Sequence, residues 1–141
     1  MKVNPIFAEF VRVMSAAHVA TYRLWGGIGP LNRNTLILTT RGRKSGREIS
    51  KPLLYFQDQG RLYIVASYGG SDSPPAWYLN LVKNPEVKAQ VRRSVKTYRA
   101  RTLSAEEAKP VWPGLLAIYP SYAGYQKRTT RPIPIVELAS A

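Results

Sequence analysis

The chain has no cysteine, a single histidine, eight acidic residues among 141, and no long apolar run free of charge. Each scarcity closes a class of chemistry. Without cysteine there is no disulfide framework, no thiolate metal site and no thiol nucleophile, and a reducing cytoplasm suits such a chain. One imidazole, His18, cannot build a histidine cluster. The few carboxylates are scattered, with neither a catalytic pair nor a metal-ligand spacing, so a hydrolase or metalloenzyme is poorly supported; an enzyme of this composition needs an organic cofactor to carry its chemistry. The opening MKVNPIFAEFVRVMSAAHVATYRLWGG reads as neither a signal peptide nor a membrane span. What the chain does have is positive charge. Twenty-one Lys and Arg give a net charge of +13, which calls for an anionic partner: a nucleic acid, an anionic membrane face or a polyanionic small molecule.

With 45% hydrophobic residues in 141, the chain fits one domain. Apolar residues at Ile6, Phe7, Phe10, Val11, Met14, Ala17 and Tyr22 recur at helical spacing, predicting an amphipathic helix from Asn4 or Pro5 to about Leu24, stopped by Gly26-Gly27. Its basic residues Lys2, Arg12 and Arg23 leave open whether residues 1 to 25 pack on their own domain or lie on an anionic membrane. Leu36 to Thr40, a basic turn and Ile49 to Gln57 read as a hairpin, and Asp58-Gln59-Gly60 turns into a strand from Arg61 to Ser67 that alternates Leu62, Ile64 and Ala66 against Tyr63 and Val65. Three successive antiparallel strands result. A polar loop then leads to a short helix ending near Val82, before Asn84-Pro85. Val87 to Arg92 and Thr97 to Leu103 predict two more strands. Ser104, with Glu107 three residues on, predicts a capped helix, interrupted at Pro113-Gly114. A last strand is expected near Ile133 to Leu138, with Pro132 and Pro134 suiting a sheet edge or the approach to a sheet. The order describes an α+β domain built on an antiparallel sheet or barrel.

Several stretches carry candidate chemistry. Arg41-Gly42-Arg43-Lys44-Ser45-Gly46 is either a phosphate cradle, glycine bringing amides close to an anion and cations adding charge, or an ordinary basic hairpin turn. Tyr119, Tyr122 and Tyr125 recur every third residue, so on a helical turn they share one side, lining an apolar pocket with hydroxyls or lying over the core. Ser67-Tyr68-Gly69-Gly70 sits between a strand and a helix. Trp77, Tyr78 and Asn80 follow on that helix, where Trp77 alone reads best as a core anchor.

Taken in order, TTRGRKSG, PLLYF, VASYGG, PAWYLNLVKNPEV, YPSYAGYQ and TTRPIPIVEL resemble the deazaflavin-dependent nitroreductase family of actinobacteria, from about Leu36 to Leu138. The resemblance implies a split β-barrel with an N-terminal amphipathic helix (1–27) and short peripheral helices on one deazaflavin-binding domain (28–141). It implies coenzyme F-420, an 8-hydroxy-5-deazaflavin, as cofactor. Arg43, Lys44 and Ser45 would then bind its phosphate and acidic tail, while Pro52 to Tyr55 and Ala66, Ser67, Tyr68, Gly69 and Gly70 flank the ring. Trp77, Tyr78 and Asn80 would close the groove. Tyr119, Tyr122 and Tyr125 would face the substrate beside Ser67, a donor near the reacting centre. The implied acceptors are quinones, menaquinone foremost, nitroaromatics or activated enones, with a cytoplasmic location that includes the inner face of the cell membrane. The chain departs from the family pattern at Glu48-Ile49, where Pro-Arg is usual and Arg47 or Lys51 flanks the missing cation, and at Tyr68 and Leu54. Three rival readings follow from the same residues. One is FMN bound at the same turn, another a non-catalytic deazaflavin carrier, and the third a nucleic-acid binder, which the scattered cations and missing motifs disfavour.

Overall fold

The computed structural model describes residues 5–27, 34–67, 74–127 and 132–141. Tyr68, Gly69 and Gly70 lie outside the described residues. The first helix, α1 (Pro5–Trp25), ends just before the two glycines. Seven strands follow: β1 (Thr35–Arg41), β2 (Glu48–Leu54), β3 (Phe56–Asp58), β4 (Arg61–Val65), β5 (Glu86–Val91), β6 (Ser94–Thr102) and β7 (Ile135–Ser140). Between them lie α2 (Ala76–Lys83), α3 (Ala105–Ala108), α4 (Trp112–Ile118) and α5 (Tyr122–Lys127).

All seven strands join one antiparallel sheet in the order β2-β1-β5-β6-β7-β4-β3. β2 and β3 therefore stand at opposite ends of the sheet, yet only Tyr55 separates them in the chain. Two residues reach no further than about 7 Å. The sheet must curl until its edges meet, and the barrel closes at Tyr55, whose amide donates to the Asn34 carbonyl at 2.9 Å. The continuous strand expected over Ile49 to Gln57 is thus two strands belonging to opposite edges. The expected run of three neighbouring strands fails for the same reason, because β4 pairs with β3 and β7 rather than β2.

Strand alternation sorts the apolar residues onto two faces. Leu36 and Leu38 of β1, Leu62 and Ile64 of β4, Val87 and Ala89 of β5, and Val136 and Leu138 of β7 point into the barrel, where Trp77 and Leu81 of α2 pack among them. Outward-facing Tyr63, Val65 and Ile135 are covered by Ala108, Val111, Leu115 and Tyr122 from α3, α4 and α5. On the other outer flank Val19 and Tyr22 of α1 cover Ile37. Tyr22 is fully buried; its hydroxyl donates to the Thr35 carbonyl at 2.9 Å and accepts from the Arg92 amide at 2.7 Å. The end of α1 is thereby fastened to β1 and to the β5–β6 turn.

Ser104 caps α3 as its spacing to Glu107 predicts, with both halves of the capping box formed. Pro113-Gly114 does not interrupt that helix. α3 stops at Ala108, and Pro113 instead sits in the first turn of α4. A proline there forfeits only an amide with no intrahelical partner. The prolines before β7 precede a central strand, so they mark the approach to the sheet and not its edge.

Candidate active site

The β1–β2 hairpin pairs from Thr35 opposite Leu54 to Arg41 opposite Glu48, leaving residues 42 to 47 as the turn. Glycine serves its geometry at two places. A Cβ on Gly42 would lie 2.6 Å from Ser45 Oγ, and Gly46 adopts a φ of 72°, in the left-handed region. The amides of the turn are largely spent inside the protein. Gly42 donates to the Arg47 carbonyl at 2.7 Å, Gly46 to the Gly42 carbonyl at 2.9 Å, and Arg47 to Ser45 Oγ at 3.2 Å. Arg43 donates its amide to Asn80 Oδ1 at 3.1 Å. Glycine here tightens the loop, and side chains carry what it offers to an anion.

Asn80 of α2 is the element that sets this turn. It is 1% exposed. Its Oδ1 accepts from both the amide and, at 3.0 Å, the guanidinium of Arg43, while Nδ2 donates to Thr40 Oγ1 at 3.4 Å. One turn of helix further on, Lys83 donates to the Arg43 carbonyl at 3.0 Å. A guanidinium has five N–H donors, so most of Arg43's capacity is left for a ligand while its position is held. Lys44 and Ser45 are exposed beside it. Asn80 therefore positions Arg43 from behind the turn. Lys83 was missed in the sequence, although its spacing to Asn80 puts both on one helix face.

The remaining candidates fall on different surfaces. In β2, Lys51 shares the interior side with Leu53, whereas Pro52 and Leu54 share the outer side with Ile37, where Arg23 of α1 donates to Ser50 Oγ at 2.8 Å. A ligand along β2 meets either Lys51 or the Pro52 and Leu54 pair. Ala66 and Ser67 are buried at the end of β4, and the Ala66 amide donates to the Pro134 carbonyl at 3.0 Å. Trp77 is a core residue of the barrel, packed edge-on to Tyr78. Tyr78, half-buried against the same cluster, brings its hydroxyl 3.0 Å from Thr102 Oγ1.

Tyr119, Tyr122 and Tyr125 form one cluster, with ring centroids 5.0, 5.9 and 6.0 Å apart in edge-to-face contacts. Burial, and then the neighbouring phenols, push the Tyr122 hydroxyl well above the usual tyrosine range. Tyr122 is scaffold more than acid. The hydroxyls of half-buried Tyr119 and Tyr125 meet at 2.7 Å. Either of the two can be the donor in that bond.

Two depressions accompany these features. One, of about 450 Å³, includes Arg41, Lys88 and Arg99 with Glu48 and Glu86, and Lys88 pairs with Glu48 at 3.3 Å, so carboxylates offset most of its positive charge. The other, of about 430 Å³, lies between Tyr78, the end of β6, α3, Trp112 and the approach to β7. Among the described residues, no three His, Cys, Asp or Glu gather as metal ligands.

The profile of the F-420H2-dependent quinone reductase family matches residues 14–139. The chain belongs to this family. It is an oxidoreductase of the coenzyme F-420 type, which sets the FMN reading aside. One protein of Mycobacterium tuberculosis named as an F-420H2-dependent quinone reductase is 35% identical over 130 residues, covering 86% of each chain. Another from the same organism, named for the same activity, is 36% identical over 104 residues, 74% of this chain and 87% of its own. A solved F-420H2-dependent reductase superposes with a TM-score of 0.70 at 37% identity, over 75% of this chain and 94% of its own. The split barrel is thus the family's fold.

Proposed function

We propose that this family member reduces a lipid-soluble quinone such as menaquinone, holding the cofactor's phosphate and acidic tail at Arg43, Lys44 and Ser45 and the acceptor near Ser67 and the tyrosine cluster. The observation that carries the reading is the preset turn, with Arg43 fixed by the buried Asn80 and Lys44 exposed beside it. Such a donor set, cationic and facing solvent, fits a polyanionic tail. The bound cofactor supplies a hydride. The chain's part is to orient, to exclude water and to provide the proton that completes a quinol, for which the hydrogen-bonded hydroxyls of Tyr119 and Tyr125 are the candidates. Titrating the protein with oxidised F-420 and, in parallel, FMN, then mixing the reduced complex with menadione, tests the reading. Selective F-420 binding with protein-dependent reoxidation is expected. Binding without reoxidation of any acceptor would make the chain a carrier, and no binding would end the proposal.

Phenylalanine at 119 or 125 is expected to lower turnover at least about tenfold, since positioned acids contribute about 10²–10⁴-fold, while F-420 affinity stays put. The same change at Tyr122 should move turnover far less. Steady-state rates for the three variants decide this, and equal effects at all three positions would reduce the cluster to packing.

Among the described residues no helix is long and apolar enough to cross a membrane. α1 nevertheless exposes Val13, Met14, Leu24 and Trp25, the last two 77% and 60% exposed. Val95 is exposed on the neighbouring hairpin, and Arg23, Arg92 and Arg93 flank this patch. Apolar tips ringed by cations suit the inner, anionic face of the cell membrane, where a quinone resides. A Leu24→Ser, Trp25→Ser double variant should lose flotation with phosphatidylglycerol vesicles, since inserting a leucine alone contributes roughly 1.5–3 kcal/mol. Undiminished flotation would refute the patch.

A further inference from the structure

The 430 Å³ cavity beside Tyr78 has a construction of its own. Two main-chain hydrogen bonds sew its floor: Leu103 donates to the Ile135 carbonyl at 2.9 Å and Ala66 to the Pro134 carbonyl at 3.0 Å. Its roof is α3, which cannot lift freely. Arg101 binds Glu107 at 2.8 Å and Glu137 at 3.5 Å, Arg61 binds Glu137 at 3.3 Å, and Glu107 also closes the capping box on Ser104. That chain of pairs ties the roof to β4, β6 and β7. The space persists because the roof presents only Ala105 and Ala108 to it. Leu103, Trp112, Ile133 and Ile135 give apolar walls, and all four pack in the cluster that contains the tyrosines.

Its polar side chains are Tyr78, Thr102, Ser104 and Lys109, each able to donate. Tyr78 and Thr102 bring two hydroxyls to 3.0 Å, and whichever donates, one proton is left over for a ligand. Lys109 adds an ammonium, which only donates. A flat apolar frame bearing acceptors and no donors complements such a site, and a quinone is that frame with two carbonyls. Pockets of about 300–1,000 Å³ with sparse, placed polar groups are typical of small-molecule sites. We propose that this cavity, roofed by α3, is the ring pocket for the quinone acceptor, with the Tyr78–Thr102 hydroxyl pair donating to one carbonyl. The proposal rests on the quinone reductase reading and gives that reading a place for the acceptor, joined to the end of β4 through the Ala66–Pro134 hydrogen bond.

Ala105→Trp fills the space from an exposed roof position, and a Tyr78→Phe, Thr102→Val double variant removes the donors without changing shape greatly. Menadione binding is read by equilibrium dialysis, and F-420 affinity by separate titration. Filling should weaken menadione at least about tenfold, equivalent to 1.4 kcal/mol, with F-420 affinity held within about twofold. The hydroxyl-free variant should bind menadione more weakly yet leave 2-methylnaphthalene, the same frame without carbonyls, unaffected. Loss of F-420 affinity with menadione retained would hand the cavity to the cofactor and overturn the proposal. Unchanged binding of both would overturn it as well. Failure of the wild-type chain to bind F-420 is a different result, which strikes the functional reading while dialysis still judges the cavity.

Discussion

Replacing Asn80 by alanine is expected to cost roughly 2–4 kcal/mol of folding stability and to weaken F-420 binding about tenfold, although the side chain makes no contact with the open face of the turn. The amide is buried and serves three hydrogen bonds, two from Arg43 and one to Thr40. Alanine leaves the Arg43 amide and the Thr40 hydroxyl without that partner in a sealed space, and burying unsatisfied groups is what makes such losses large. Arg43 also loses the acceptor that aims it, so binding must fix the turn at the ligand's expense. Urea unfolding and cofactor titration separate the two effects. A destabilised variant with wild-type F-420 affinity would show that Asn80 merely fills the barrel's end and that the turn is not the cofactor's anchor.

The second large effect is expected at the turn itself. The Arg43→Ala, Lys44→Ala double variant should lose at least about 3 kcal/mol of F-420 affinity, more than a hundredfold, because each charged hydrogen bond contributes about 1.5–3 kcal/mol. Stability should change little by comparison. Lys44 is exposed, and Arg43 gives up one side-chain bond to Asn80. The remaining affinity of the wild type should fall with added salt, since the turn faces solvent. Isothermal titration of the variant at low and moderate salt measures both, and an affinity near the wild-type value would remove the turn from the site.

Much of the local structure was legible in the residues. Alternation in Arg61 to Ser67 separated Leu62 and Ile64 from Tyr63 and Val65, and these populate the inner and outer clusters. The basic turn, the Ser104 cap and the close set of three tyrosines follow from spacing within a few residues, where helix and strand periods act directly. Pro113-Gly114 misled because a proline's meaning depends on its position in a helix; the proline that follows the end of α3 is Pro110, directly after its C-cap Lys109.

What depended on distant parts of the chain could not be read that way. Tyr55 looks like one more residue of a continuous apolar strand; it becomes a corner because β2 and β3 must serve opposite edges of a closing barrel. Asn80 looked like part of the groove until its partners, 37 and 40 residues away, placed it behind the turn. Glu137 carries no signal in sequence, yet it links Arg61 and Arg101 across neighbouring strands and helps hold the cavity's roof. By itself the sequence determined the net positive charge, most of the elements and, through an ordered set of motifs, the family. Only the tertiary structure decided which cation is fixed by a buried partner, which tyrosine is sealed and where an apolar space remains open, because burial and long-range pairing arise when strands far apart in the chain become neighbours.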